Sequence, residues 1–188
     1  MFNFLQIATL CFFVLNANSI WAQDIPNGDF EDWSISKAGI EFPEKWEALN
    51  EEGMIYIEKT EGHSGGQAAC LNVVWDQMIQ SFTGAILRSD EEIILNTRIS
   101  SLNGYYLTKA ATTDTLQIEI EVYAKGNPVG EGDAGFCKNS HGWMEFSIPI
   151  KYYSPEVPDH AEIVIYINPS KGGLHLSRYC VDDLMFEN

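Results

Sequence analysis

The chain has 188 residues, with 27 Asp and Glu against 11 Lys and Arg, and a formal net charge of −16 at pH 7. A surface of that sign repels phosphate backbones and anionic headgroups, which excludes nucleic acid and acidic membranes as partners. The length suits one domain with a real core by the usual ~100–200 residues per domain.

Residues 1–22 carry no Asp, Glu, Lys or Arg, and Leu10–Leu15 is an apolar run. Ala22 is a small residue ahead of a cleavage site, so this segment reads as a secretory signal peptide, with the mature chain starting at Gln23 or Asp24. The apolar run is shorter than the ~20 residues a membrane span needs, and no transmembrane segment is expected in the mature chain. The protein is therefore expected in the periplasm, at the cell surface or outside the cell. All of the formal charge then falls in the mature part, where it serves solubility or gathers carboxylates around a hard cation.

Residues 23–188 are expected to form a single domain. Asn27–Trp33 mixes acids with large apolar residues and has a counterpart at the other end, Val181–Phe186. The expectation is that these ends meet in space and close one sandwich. Ser34–Pro43 is polar and reads as a loop. Met54–Glu58 reads as a short strand, Glu61–Gly66 as a turn, and Gln67–Trp75, apolar on both faces, as a central strand. Residues 76–101 hold only short apolar runs, at Ile86-Leu87 and Ile93–Leu95. Leu102–Thr108 is a strand.

Thr115–Lys125 has strict period 2, with Leu116, Ile118, Ile120, Val122 and Ala124 on one face and Gln117, Glu119, Glu121, Tyr123 and Lys125 on the other. Gly126-Asn127-Pro128 ends it, and Gly130–Gly142, rich in Gly and Asp, reads as a loop. Trp143–Ile150 alternates again. Pro155, Pro158 and Asp159 mark a turn, Ala161–Ile167 a strand, Pro169–Gly173 a turn, and Leu174–Phe186 the closing strand. With no sustained helical period, the fold class is all-β: a two-sheet antiparallel β-sandwich with jelly-roll topology.

Cys70, Cys137 and Cys180 remain after the signal, without CxxC or zinc spacing. Export permits a disulfide, but a domain of this size does not require one, so buried thiols are the default. Cys70 with Cys180 is the first pair to test, because both sit in predicted strands. The histidines His63, His141, His160 and His175 show no metal spacing and read as solvated turn residues. There is no GxSxG, P-loop or GxGxxG, and Asn168-Pro169-Ser170 is a sequon blocked by its proline.

The opening Asn-Gly-Asp-Phe-Glu-x-Trp, Pro43-x-x-Trp46, Ser64-Gly65-Gly66-x-Ala68-Ala69 and Val181-Asp182-Asp183-Leu184 resemble galactose-binding-like jelly rolls, which include several carbohydrate-binding modules. In the second half, Leu102–Tyr106, Asp114, Trp143–Ile150, Tyr152, Pro158-Asp159 and Val181–Asp183 follow in an order similar to that of the carbohydrate-metabolism domain family of secreted bacterial proteins. The match covers about residues 25–187. It departs at Asn168-Pro169-Ser170, at Ser177–Tyr179, and at Leu107, where a Lys commonly follows the paired aromatics.

The resemblance implies glycan binding. It also implies a structural calcium held by Glu31 and Asp182 or Asp183, with backbone oxygens from Asp29 and the Glu61–Ser64 turn. It places Trp33, Trp46 and Trp143 at core positions. Sugar recognition needs an aromatic face with acids or amides beside it. Trp75 with Asp76, where a strand enters a loop, is the first ligand candidate, with Tyr105, Tyr106 and Tyr123 beside them. No catalytic constellation is visible, and a glycosidase pair needs a separation that one sequence does not display. The reading is a secreted, non-catalytic carbohydrate-binding domain whose partner is a glycan or polysaccharide. The competing reading is a surface module that holds a cell-envelope protein, and a glycoside hydrolase or lyase is the least supported.

Overall fold

The computed structural model describes residues 23–108, 114–170 and 177–188. The signal segment, His175 and the expected strand start at Leu174 lie outside the described residues. Among the described residues there is no helix long and apolar enough to cross a membrane.

The strands, in chain order, are β1 (Trp33–Ile35), β2 (Glu41–Pro43), β3 (Trp46–Ala48), β4 (Ile57–Glu61), β5 (Gln67–Asp76), β6 (Ser81–Gly84), β7 (Ile86–Ser89), β8 (Ile93–Ile94), β9 (Ser101–Thr108), β10 (Thr115–Ala124), β11 (Asn127–Phe136), β12 (Met144–Pro149), β13 (Lys151–Tyr152), β14 (His160–Asn168) and β15 (Arg178–Glu187). One sheet runs β13-β11-β10-β14-β7-β3, with β8 also on β14; the other runs β12-β9-β15-β5-β4, with β6 also on β5. The adjacent strands pair antiparallel. The result is the all-β sandwich that the alternation predicts.

The core lies between the sheets. Period 2 sends Leu116, Ile118, Ile120 and Val122 of β10 inward, and Ile163, Ile165 and Ile167 of β14 join them. They meet Leu71, Leu102, Phe146, Ile148, Tyr179 and Val181 from the other sheet. Buried apolar surface of this kind stabilises by roughly 25 cal/mol per Å², and it selects one register, because a one-residue slip would expose every inward residue.

The two ends meet as expected. The Leu184 N–H donates to Gly28 C=O at 2.8 Å, and the Gln67 N–H donates to Glu31 Oε1 at 2.8 Å. Phe30, fully buried, tilts against Trp46 with ring centroids 5.2 Å apart. The Trp46 Nε1–H donates to Asn27 C=O at 3.1 Å.

Four sequence expectations change. Gly130–Gly142 is not a loop from its start, because Asn127–Phe136 forms β11 and pairs along β10 from Ala124 to Leu116. Its glycines mimic a loop, but Gly132 is required by close approach: a Cβ there would lie 2.8 Å from Pro149 O. Ser34–Pro43 contains the β1–β2 hairpin. The strand expected over Met54–Glu58 is instead Ile57–Glu61, since Asn50 Oδ1 accepts the Tyr56 and Ile57 N–H groups and holds the approach in an irregular path. Cys70 and Cys180 are not thiols. They face each other in the β5–β15 pair with Cα atoms 3.9 Å apart and are joined as a disulfide. Cys137 is free and exposed. The disulfide suits an oxidising compartment.

Candidate functional site

The outer face of the β11-β10-β14-β7 sheet is built by the same alternation that builds the core. Along β10 it takes Gln117, Glu119, Glu121 and Tyr123. Register sets Glu119 opposite Asp133 of β11, and Glu121 opposite Glu131 of β11 and Glu162 of β14. Gln117 faces Tyr166, and Tyr123 faces His160. Like charges directly opposite on neighbouring strands cost stability. Two cations border them: Arg88 of β7, whose Nη2 lies 2.9 Å from Glu162 Oε2, and Lys151 of β13, opposite Glu131 in the register. The centre of the stripe, Glu119, Glu121 and Asp133, is thus acidic, with a cation at either border.

Two tyrosines frame this stripe. The Tyr166 hydroxyl donates to Glu119 Oε1 at 2.6 Å, and the Tyr123 hydroxyl donates to Glu121 Oε2. Each carboxylate acceptor holds its phenol proton, and both tyrosines are pushed up to about 12. The Tyr123 ring stacks on His160 at 4.9 Å, nearly coplanar. His160 is in turn anchored, its Nδ1 2.6 Å from Asp159 Oδ1. A depression of about 230 Å³ lies along the β10–β11 pair, lined by Glu119, Glu121, Glu131 and Asp133, and its Glu119 and Glu121 are the acceptors of the two tyrosine hydroxyls. Rings with fixed edges and carboxylate acceptors beside them can bind a polyhydroxylated ligand.

The other expected ligand residues lie elsewhere. Trp75 meets Phe82 edge-on at 4.9 Å across the β5–β6 hairpin. Asp76 Oδ1 accepts the Met78 N–H at 2.7 Å and the Ile79 N–H at 3.3 Å, so this carboxylate holds a turn. Tyr105 lies on the other sheet beneath the His63 ring, stacked at 3.6 Å. Tyr106, its neighbour in the pleat, points the opposite way and packs on Phe136 at 4.3 Å. The structure thus brings together neither Trp75 with Tyr123 nor the paired tyrosines with each other. Tyr166, Arg88, Glu131, Glu162 and Asp133 were missed. The alternation of Glu162, Val164 and Tyr166 was a legible signal, whereas Glu131 and Asp133 were hidden by the glycines of β11.

The clasp between the chain ends holds the expected metal residues. Asp182 is fully buried; its Oδ2 accepts the His63 N–H at 2.6 Å and its Oδ1 the Asp183 N–H at 2.8 Å. Burial is the main cause that raises its carboxyl to about 6; the neighbouring Asp183 and Glu31 add to this, while the two backbone N–H groups oppose it. A Cβ on Gly66 would overlap Glu31 Oε1 at 1.6 Å, and one on Gly62 would lie 2.7 Å from Asp182 Oδ2. The turn thus presses bare backbone against two carboxylates. Asp183 turns outward instead, its Oδ2 2.8 Å from His63 Nδ1. Asp29 and Asp183 line a cleft of about 400 Å³ on the outside. Among the described residues no three His, Cys, Asp or Glu side chains gather as a metal cluster. His63 and His160 are partnered by carboxylates and rings, unlike the solvated histidines expected; His141 is exposed.

No family model matches the chain, and no curated protein does. Among solved structures, the fold is similar to a candidate glycoside hydrolase from Bacteroides thetaiotaomicron, with TM-score 0.57 and 11% identity over 84% of this chain and 69% of that one. It is similar to a second candidate glycoside hydrolase from Bacteroides vulgatus, with TM-score 0.56 and 12% identity over 82% of this chain and 89% of that one. A xylan-binding domain from Paenibacillus barcinonensis aligns with TM-score 0.49 and 12% identity over 85% of this chain and 90% of that one. The shared property is the jelly-roll sandwich.

Proposed function

We propose that this is a secreted carbohydrate-binding domain that takes a glycan on the outer face of the β11-β10-β14 sheet. The observation that carries the reading is the pair of tyrosine–carboxylate units on β10 and β14, Tyr123 with Glu121 and Tyr166 with Glu119, whose carboxylates line one acidic depression. The hydroxyls of a sugar donate to the carboxylates, and its apolar ring face covers a tyrosine. Two of the solved neighbours are candidate glycoside hydrolases, which agrees with a carbohydrate-related reading, but at 11% and 12% identity they share a fold and the face is this chain's own. Affinity electrophoresis through neutral polysaccharides is the test. Tyr123→Ala and Tyr166→Ala should each weaken retardation about tenfold, near 1.4 kcal/mol, and Trp75→Ala should leave it unchanged. Retardation lost with Trp75→Ala alone moves the site to the hairpin. A broad panel that retards nothing at millimolar sugar ends the glycan reading.

We also infer a structural calcium at the clasp. What supports it is a fully buried carboxylate, Asp182, to which no cation is paired among the described residues, beside Glu31 and a turn whose two glycines bring backbone against both carboxylates. Glu31 and Asp182 would hold the ion, with turn carbonyls completing the roughly 6–8 oxygens that calcium takes. Bound there, it neutralises the two acids. In its absence Asp182 binds a proton more tightly folded than unfolded, its carboxyl raised to about 6 from 3.8. Its contribution is fully present below about pH 4 and is lost as pH rises through about 6, amounting to about 1–3 kcal/mol. Thermal melts in excess EDTA should therefore gain stability on going from pH 7 to pH 5, and calcium at pH 7 should restore it. A melting temperature at pH 7 that ignores both calcium and EDTA removes the ion; a flat pH profile in EDTA removes the Asp182 argument.

A further inference from the structure

Which hydrogen-bonding groups the β10–β14 face still offers depends on what remains once its internal bonds are made. Four polar side chains line the depression along β10 and β11, and all four are carboxylates: Glu119, Glu121, Glu131 and Asp133. An ionised carboxylate only accepts hydrogen bonds, at about four positions. The two phenols that reach these acids have already given their protons, Tyr166 to Glu119 Oε1 at 2.6 Å and Tyr123 to Glu121 Oε2. The bond to the glutamate is the main cause that pushes each phenol up to about 12, so both protons stay in place at neutral pH. Each tyrosine fills one accepting position and leaves the others to a ligand.

The cations stand at the borders. Arg88 is engaged by Glu162 on the β7 side, and Lys151 lies opposite Glu131 on the β13 side. Backbone groups of the centre are committed to the ladders of β10 with β11 and β14. The centre of the face is therefore rich in acceptors and poor in donors. Register adds charge to this. Glu121 stands opposite Glu131 and Glu162, and Glu119 opposite Asp133, so a group that approaches one carboxylate also meets its neighbour on the next strand.

Two kinds of sugar substituent fail on such a face, for separate reasons. An ester or ether on a hydroxyl removes the proton that the carboxylates take and brings only acceptors. A uronate or sulfate brings like charge, and juxtaposed like charges reject a ligand. An unmodified hydroxyl instead donates into a charge-assisted bond, the stronger kind.

We infer, resting on the glycan reading above, that this face selects polysaccharides with free hydroxyls and no acid groups, and that Glu119 and Glu121 set the selectivity. Affinity electrophoresis tests it with arabinoxylan, galactan and mixed-linkage glucan, each run beside its own partially O-acetylated and carboxymethylated forms. The wild type should bind a parent polysaccharide at least about tenfold more tightly than either derivative. Added salt should narrow the carboxymethyl gap and leave the O-acetyl gap, since screening acts on charge. Glu119→Gln with Glu121→Gln puts amide donors beside the acceptors and removes two charges, and should bring both gaps below about threefold. Glu51→Gln with Glu52→Gln removes the same charge in a turn outside the depression and should change neither gap. Circular dichroism checks that each variant is folded. Derivatives that bind as well as their parent, gaps that survive in the Glu119 and Glu121 variant, or gaps that the Glu51 and Glu52 variant closes equally each overturn the inference and leave the glycan reading intact. Absence of retardation by every parent polysaccharide ends both.

Discussion

Replacing Cys70 and Cys180 together by alanine should lower the stability of the protein by about 2–5 kcal/mol. The bridge spans a sequence separation of 110, and closing a loop of that length removes much conformational freedom from the unfolded chain. Both residues are fully buried and directly opposite each other in the β5–β15 pair, so the alanines leave the hydrogen-bonded ladder in place. Urea titration is the measurement, and at about 2–4 °C per kcal/mol a thermal melt should fall by about 5–20 °C. Because the bridge is buried, reduction of the wild type in denaturant followed by refolding with reductant present should reproduce the loss. A double variant within about 0.5 kcal/mol of the wild type would mean that the unfolded chain is already constrained elsewhere.

Phe30→Ala should cost about 3–5 kcal/mol, as for other buried aromatics cut back to alanine. The ring is fully buried and tilts on Trp46. The consequence extends beyond the cavity, because Phe30 sits between Gly28, which accepts the Leu184 N–H, and Glu31, which accepts the Gln67 N–H. Phe30 has φ of 50°, a conformation that alanine tolerates no better. Phe30→Gly recovers that part of the loss and should be less harmful than its missing methyl group suggests. Hydrogen exchange resolves the point: protection at Leu184 and Gln67 should fall along with global stability in Phe30→Ala. Unchanged protection there would separate the N-terminal segment from the closure of the sandwich.

The proposed glycan face and the clasp place their acids in different settings. On the β10–β14 face the carboxylates stay at the surface, where water and Arg88 screen them. At the clasp Asp182 is buried, and its carboxyl rises instead. The same residue type thus lines an open face in one place and closes the chain in the other, and burial makes the difference.

Much of the fold was legible in the chain. The alternation of Thr115–Lys125 and Trp143–Ile150 fixed which side chains face the core, since a strand has only two faces. The meeting of Asn27–Trp33 with Val181–Phe186 was legible because each segment mixes large apolar residues with acids that want backbone partners. Tyr123 with Glu119 and Glu121 was visible as one face of one strand. Only the tertiary structure decided which strands lie beside it. The pairing of β10 with β14 and β11 brought in Tyr166, Glu131 and Asp133 across sequence separations that no local pattern encodes. The same holds for the disulfide, since three cysteines left the choice of pair open until register put Cys70 opposite Cys180. It holds for Tyr105 and Tyr106 too. They are adjacent in sequence, but the pleat sends one under His63 and the other onto Phe136. Local periodicity sets the face of a residue, whereas strand order sets its neighbours, and a binding surface is made of neighbours.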